Sequence, residues 1–225
     1  MSAMPQRPRQ LLLALEHAES FAREDFLVGP CNERAFQLVT SWPDWPANAL
    51  ALVGPEGSGK THLAMIWAAI AGARIVSARG LRDADVPSAL ATGALVVEDA
   101  AVDADDRALF HLINLAREDN AALLFTARST PTTWPVAIPD LASRLRALPT
   151  VTVAPPDDVL LRSLLVKLAA DRQLALDESV VNYLVNRIDR SFSAARNVIQ
   201  TLDDEAMRRH RPVTRALAVE LFRSP

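Results

Sequence analysis

The chain has 225 residues, half of them apolar and 23% charged, with a formal net charge of −3. That size supports one large domain, or a domain with a small companion, burying roughly 70% of the unfolded chain's surface. The balance excludes a disordered chain and gives no global attraction to nucleic acid, and the single Cys31 excludes an internal disulfide framework.

In chain order, residues 1–20 read as a flexible arm in which Met1–Gln10 is polar and carries Arg7 and Arg9 but no apolar leader region. Glu33 to Ser41 reads as a helix closed by the turn Trp42-Pro43-Asp44-Trp45-Pro46. Strands then alternate with helices. Ala49–Val53 is an apolar strand, Thr61 to about Ala71 a helix, Arg74–Ser77 a short strand and Ala94–Glu98 a buried one. Asp105 to about Asp119 carries Leu109, Leu112, Ile113, Leu115 and Ala116 at helical spacing, behind Asp103, Asp105 and Asp106, which suit a helix N-terminus. Ala122–Thr126 and Val151–Val153 are further strands, with Pro139 to Leu145 a helix between them. Continuous apolar strands joined through helices predict an α/β fold with a parallel sheet covered on both faces.

Beyond Pro155-Pro156 only helices are expected. Val159 to Arg172 repeats Leu161, Leu164, Leu165 and Leu168, and a second helix after the candidate N-cap Asp177 repeats Val181, Leu184, Val185 and Ile188. A third runs from Ser191 to Arg209, with Phe192, Ala195, Ile199, Leu202 and Ala206 on one stripe, and a fourth follows Pro212-Val213-Thr214. The expected organisation is an arm (1–20), an α/β core (21–154) and a small helical domain (155–225). No apolar run reaches about 18 residues, so the expectation is a soluble, cytoplasmic protein without membrane contact.

Residues 54–61 read Gly-Pro-Glu-Gly-Ser-Gly-Lys-Thr, a complete G-x-x-x-x-G-K-[ST] phosphate loop between a strand and a helix. Gly54, Gly57 and Gly59, with Pro55 and Ser58 between them, let backbone N–H groups curl around phosphates at the positive end of the following helix. Lys60 supplies a point charge to the β- and γ-phosphates, and the Thr61 hydroxyl completes a Mg²⁺ shell. The chain is expected to bind ADP or ATP. A second element is expected at the end of a neighbouring buried strand. There Glu98 and Asp99 supply the carboxylate that holds Mg²⁺ and one that orients water. Glu98 is longer than the Asp usual at its position.

Other residues carry plainer readings. His62 is expected to face out of its helix and to pack or cap; His17, His111 and His210 have no partners at metal-ligand spacing. Trp42, Trp45, Trp67 and Trp134 are read as core or loop packing, and Arg208, Arg209 and Arg211 as a solvated helix end.

Phe26-Leu27-Val28-Gly29-Pro30-Cys31-Asn32-Glu33-Arg34-Ala35 resembles the F-x-V-G-x-x-N-x-x-A segment of the bacterial replication initiator DnaA. Asn48-Ala49-Leu50 and Gly59-Lys60-Thr61-His62-Leu63 continue the match, and Ile138 to Leu145 resembles the segment carrying that family's arginine finger. The resemblance, from about Phe21 to Phe222, is to the initiator clade of AAA+ ATPases. It implies an AAA+ core with a five-stranded sheet and a helical lid, Val28, Gly29 and His62 at the nucleotide, and Arg144 as the finger. The initiator continues into a helix-turn-helix domain, where this sequence stops at Pro225, so no specific DNA binding of its own is expected. A free-standing unit of this kind resembles the Hda-type regulatory homologues of DnaA. That resemblance implies docking on the DNA-loaded sliding clamp through Gln10-Leu11-Leu12-Leu13-Ala14-Leu15, with Gln10, Leu11, Leu13 and Leu15 as contacts, and stimulation of DnaA-bound ATP hydrolysis. It also allows a homo-oligomer. Own ATPase activity is expected to be weak, because Arg128 stands at the sensor-1 position and Ser193 falls on the sensor-2 arginine, leaving Arg190 and Arg196 as candidates. The alternative is a self-hydrolysing AAA+ ATPase such as a helicase loader.

Overall fold

The apolar runs of the sequence pair side by side. In the computed structural model, which describes residues 21–222, α1 (Glu33–Thr40) precedes β1 (Ala49–Val53), α2 (Lys60–Ala71) and β2 (Arg74–Ser77). There follow α3 (Val86–Ala89), β3 (Ala94–Glu98), α4 (Asp106–Glu118), β4 (Ala122–Ala127), α5 (Pro139–Arg146) and β5 (Thr150–Thr152). The strands form one parallel sheet in the order β2-β3-β4-β1-β5. In register, Val53 stands opposite both Ala127 and Thr152, so the carboxyl ends of β4, β1 and β5 are level. Ligands of open α/β sheets bind at that edge.

Alternation along the strands divides the core. Leu95, Val97, Leu123 and Phe125 face α4 and α5, where Leu109, Leu112, Leu141 and Leu145 are buried. Leu50, Leu52, Val96 and Leu124 face α1 and α2, with Leu63, Ile66 and Trp67. The four tryptophans pack as expected: Trp45 stacks on Trp67 at 5.0 Å, Trp42 meets both edge-on, and Trp134 meets Phe125.

After β5 the chain is helical: α6 (Asp158–Asp171), α7 (Glu178–Val185), α8 (Phe192–Arg209) and α9 (Arg215–Leu221). Their apolar faces share a third cluster, including Leu161, Leu165, Leu184, Ile199 and Leu202, on which Leu27 and Cys31 also pack. Side-chain caps start α4, α6, α8 and α9 at Asp105, Asp157, Ser191 and Thr214. Asp177 is the N-cap residue of α7 but its side chain caps nothing.

Three expectations shift. β5 begins one residue early, because pairing with β1 rather than apolar content sets its start. α7 ends at Val185, and Ile188 packs on the lid cluster from outside the helix. Between β2 and β3 the chain makes short helical turns at Ala78–Gly80, Asp83–Asp85 and α3, which no periodicity announced. Among the described residues no helix is long and apolar enough to cross a membrane.

Candidate functional site

The phosphate loop leaves β1 and enters α2. Gly57 and Gly59 stand at φ +69° and +96°, a region side chains avoid. A β-carbon at Gly54 would lie 2.1 Å from the Val153 carbonyl oxygen, so only hydrogen fits there. Lys60 is 9% exposed and donates from Nζ to the Pro55 carbonyl at 2.7 Å. Burial pushes its ammonium below the usual lysine range; Asp99 works most strongly against that shift, ahead of Glu56 and Glu98. Ser58 Oγ is buried without a hydrogen-bond partner among the described residues, and Thr61 is exposed on the first turn of α2. A glycine cradle, a desolvated lysine and an unpartnered hydroxyl at a helix N-terminus fit the phosphates of a nucleotide. Thr61 and the nearby carboxylates fit a magnesium ion beside them.

Glu98 is half-buried at the end of β3 and Asp99 is exposed. Asp99 takes φ +52°, a left-handed conformation that Asp tolerates, and its N–H donates to the buried Thr126 hydroxyl at 3.2 Å. That bond ties the turn after β3 to β4 and leaves Asp99 as the carboxylate acting most on Lys60. Arg128, just past β4, pairs with Glu56 of the phosphate loop at 2.8 Å across exposed surface. A cleft of about 420 Å³ opens here, lined by Ser77, Arg79, Asp99, Val102 and Arg128.

The lid closes the other side. The Phe192 N–H donates to the Gly57 carbonyl at 2.7 Å. Ser191 caps α8 and shares a 3.1 Å hydrogen bond with the Ser193 hydroxyl, which lies against Gly57. Ser193, against Gly57, and the Phe192 ring, against Gly59, are thus the side chains of α8 that reach the phosphate loop. Arg190 pairs with Asp158 on α6 at 2.9 Å, and Arg196 lies over the Phe21 ring at 6.0 Å.

The segment before α1 links sheet and lid. Asn32, 2% exposed, accepts from the Gly29 N–H at 2.9 Å and donates to the Leu27 carbonyl at 3.0 Å. Those bonds set the bend at Val28-Gly29, where Gly29 approaches Leu160 of α6 and Val28 remains 45% exposed. Asn32 appeared in the sequence only as a motif letter; its amide, spacing three residues from Gly29, was the available signal. His62 does not face outward as expected. It is 8% exposed, with Nε2 3.1 Å from the Ala22 carbonyl and its ring edge-on to Phe21 and Phe26. The segment folds over the first turn of α2, which helical periodicity alone could not reveal.

Arg144 lies on the half-exposed face of α5, its guanidinium 5.5 Å from the centre of the Phe110 ring on α4. Among the described residues it forms no ion pair, Asp140 included. Gln10, Leu11, Leu13 and Leu15, like His17, lie outside the described residues. His111 pairs with Asp83 at 2.8 Å, and Arg208 and Arg209 with Glu205 and Glu220.

Residues 158–218 match the family described as "Hda, lid domain". Over 233 residues the chain is 24% identical to the chromosomal replication initiator protein DnaA of Thermomicrobium roseum, covering 89% of this chain and 49% of that protein. A Caulobacter DnaA is 26% identical over 220 residues, covering 84% and 45%. The chain spans about half the length of these curated relatives. Domain III of Thermotoga maritima DnaA superposes with a TM-score of 0.74 at 19% identity, covering 91% of this chain and 98% of that one. AMPPCP-bound DnaA from Aquifex aeolicus gives 0.64 at 18%, covering 83% and 67%. The fold is that of DnaA domain III, an α/β core with a five-stranded parallel sheet followed by a helical lid.

Proposed function

We propose that this chain, an Hda-type AAA+ relative of DnaA, is a nucleotide-dependent regulator of replication initiation that docks on the DNA-loaded sliding clamp and stimulates hydrolysis of DnaA-bound ATP. The observation that carries the reading is the match of residues 158–218 to the Hda lid family, on a chain with a full phosphate loop. In this reading ADP or ATP sits against Gly54, Pro55, Gly57, Ser58, Gly59, Lys60 and Thr61, with Val28 and Gly29 at the seam with α6. Mg²⁺, held by Thr61 and Asp99 with Glu98 beside them, would supply charge neutralisation at the phosphates. His62 supports this site by packing the Phe21–Phe26 segment onto α2. The Phe192–Gly57 hydrogen bond then couples the loop to the lid, so the resident nucleotide sets the lid's orientation.

Slow turnover by the chain itself agrees with the surroundings of the loop. Arg128 is held by Glu56 and Arg190 by Asp158, Arg196 lies on Phe21, and a serine stands where α8 meets the phosphate loop. Arg144, outside this site, is the cation available to another protein's ATP. A guanidinium at a transferring phosphoryl group stabilises charge in the transition state and is worth about 10³–10⁵ in rate elsewhere. Gln10, Leu11, Leu13 and Leu15 supply the clamp contact.

The reading is tested by following ATP bound to DnaA in the presence of clamp-loaded DNA. Addition of this protein is expected to accelerate its hydrolysis. No acceleration, together with rapid ATP turnover by the protein alone, identifies the self-hydrolysing alternative, such as a helicase loader.

A further inference from the structure

We infer that Phe110 is a positioning residue for Arg144, its ring carrying the guanidinium and fixing the direction in which that side chain leaves α5. The inference rests on the reading of Arg144 as the arginine offered to DnaA-bound ATP. The guanidinium carbon is 5.5 Å from the ring centroid, within the roughly 6 Å over which a cation is attracted to an aromatic face. Asp140 lies one turn earlier on α5, at the spacing that permits a helical ion pair, yet the two side chains do not pair. The ring, not a carboxylate, is what Arg144 meets.

The difference has chemical content. A carboxylate partner would occupy the guanidinium's N–H donors and would have to be displaced before the cation met a phosphate. An aromatic face leaves the charge and the forked donors available while restricting a long side chain to few rotamers. The cation is thereby held ready without being neutralised.

The platform is fixed relative to the helix it serves. Asp106, in the first turn of α4, accepts from the Ala137 N–H at 2.5 Å, immediately before α5. Leu141 and Leu145 bury the adjoining face of α5 in the cluster that holds Leu109 and Leu112 of α4. Phe110, itself half-buried against that cluster, therefore cannot drift from Arg144 as a loop residue could.

The test compares Phe110→Leu, which keeps an apolar side chain but loses the π face, with Phe110→Tyr, which keeps it. Hydrolysis of DnaA-bound ATP is measured with the full chain and clamp-loaded DNA, at varied concentrations of the variant. Phe110→Leu is expected to lower the maximal stimulated rate about 2- to 5-fold, which is 0.5–1 kcal/mol at 1.4 kcal/mol per tenfold. The concentration giving half-maximal stimulation should not change, and Phe110→Tyr should retain the full rate. A merely structural role would instead lower the thermal midpoint; if Phe110→Leu does so, Phe110→Met serves the same comparison. A maximal rate for the leucine or methionine variant equal to or above wild type, with Arg144→Ala silent, overturns this inference and leaves the role of Arg144 intact. Normal stimulation by Arg144→Ala overturns the underlying reading, and this inference with it.

Discussion

The backbone N–H of Phe192, first residue of α8, donates to the carbonyl of Gly57 at 2.7 Å, joining lid to phosphate loop without an intervening side chain. Gly57 holds φ +69°, and a β-carbon there would lie 2.3 Å from the Ser193 hydroxyl and 2.9 Å from Ser191 Cβ. Gly57→Ala must therefore strain the loop and push the lid away together. Calorimetry with ADP is expected to show at least about a tenfold loss of affinity, or ~1.4 kcal/mol. Wild-type affinity in this variant would contradict the coupling.

Lys60→Ala should abolish binding of ADP and ATP while leaving the fold largely intact. The ammonium is desolvated and held by a single carbonyl, so its removal relieves a burial cost rather than opening an apolar cavity. Calorimetry and a thermal melt report the two effects separately. Equal nucleotide affinities for variant and wild type would remove the loop's assignment.

His62 gives the fold a pH dependence of known sign. Burial holds its imidazole below the ordinary 6.5, with the Ala22 carbonyl partly opposing and Arg196 adding to the depression. Near and below pH 6.5 the unfolded chain therefore binds more protons than the folded one. The contribution of His62 to stability is present above that pH and is lost as pH falls through the folded value. His62→Phe, which keeps a ring against Phe21 and Phe26, should flatten the acid-side fall in urea-unfolding stability between pH 7.5 and 5.5. An unchanged slope would show that His62 does not titrate as described.

On the arm, Gln10→Ala combined with Leu13→Ala should weaken clamp binding by about tenfold or more, as loss of anchor side chains does in other interfaces. Nucleotide affinity should not move. Co-elution with the sliding clamp at wild-type affinity would make the motif irrelevant to docking.

The fold was legible because local signals agreed with one another. The apolar strands, the Gly-Lys-Thr turn and the leucine stripes of α6 to α8 each carry their own period, and Pro139 marks the first turn of α5. Side-chain partners were not legible. Arg128 meets Glu56, Arg196 meets Phe21 and His62 meets Ala22, contacts separated by tens to more than a hundred residues that only the packed chain creates. Spacing along a helix can say that Arg144 and Asp140 share a face; only packing shows that Phe110, on another helix, takes the cation instead. The turns between β2 and β3 were missed for the same reason, since short helical segments hold too few residues to establish a period.

The central claim, that this chain lends a cation to ATP held by DnaA, is tested most directly by Arg144→Ala. The variant is assayed for hydrolysis of DnaA-bound ATP on clamp-loaded DNA, with its nucleotide and clamp affinities measured alongside. The account predicts that both affinities stay at wild-type levels while stimulation falls by about 10³-fold or to background. Full stimulation by Arg144→Ala would contradict it.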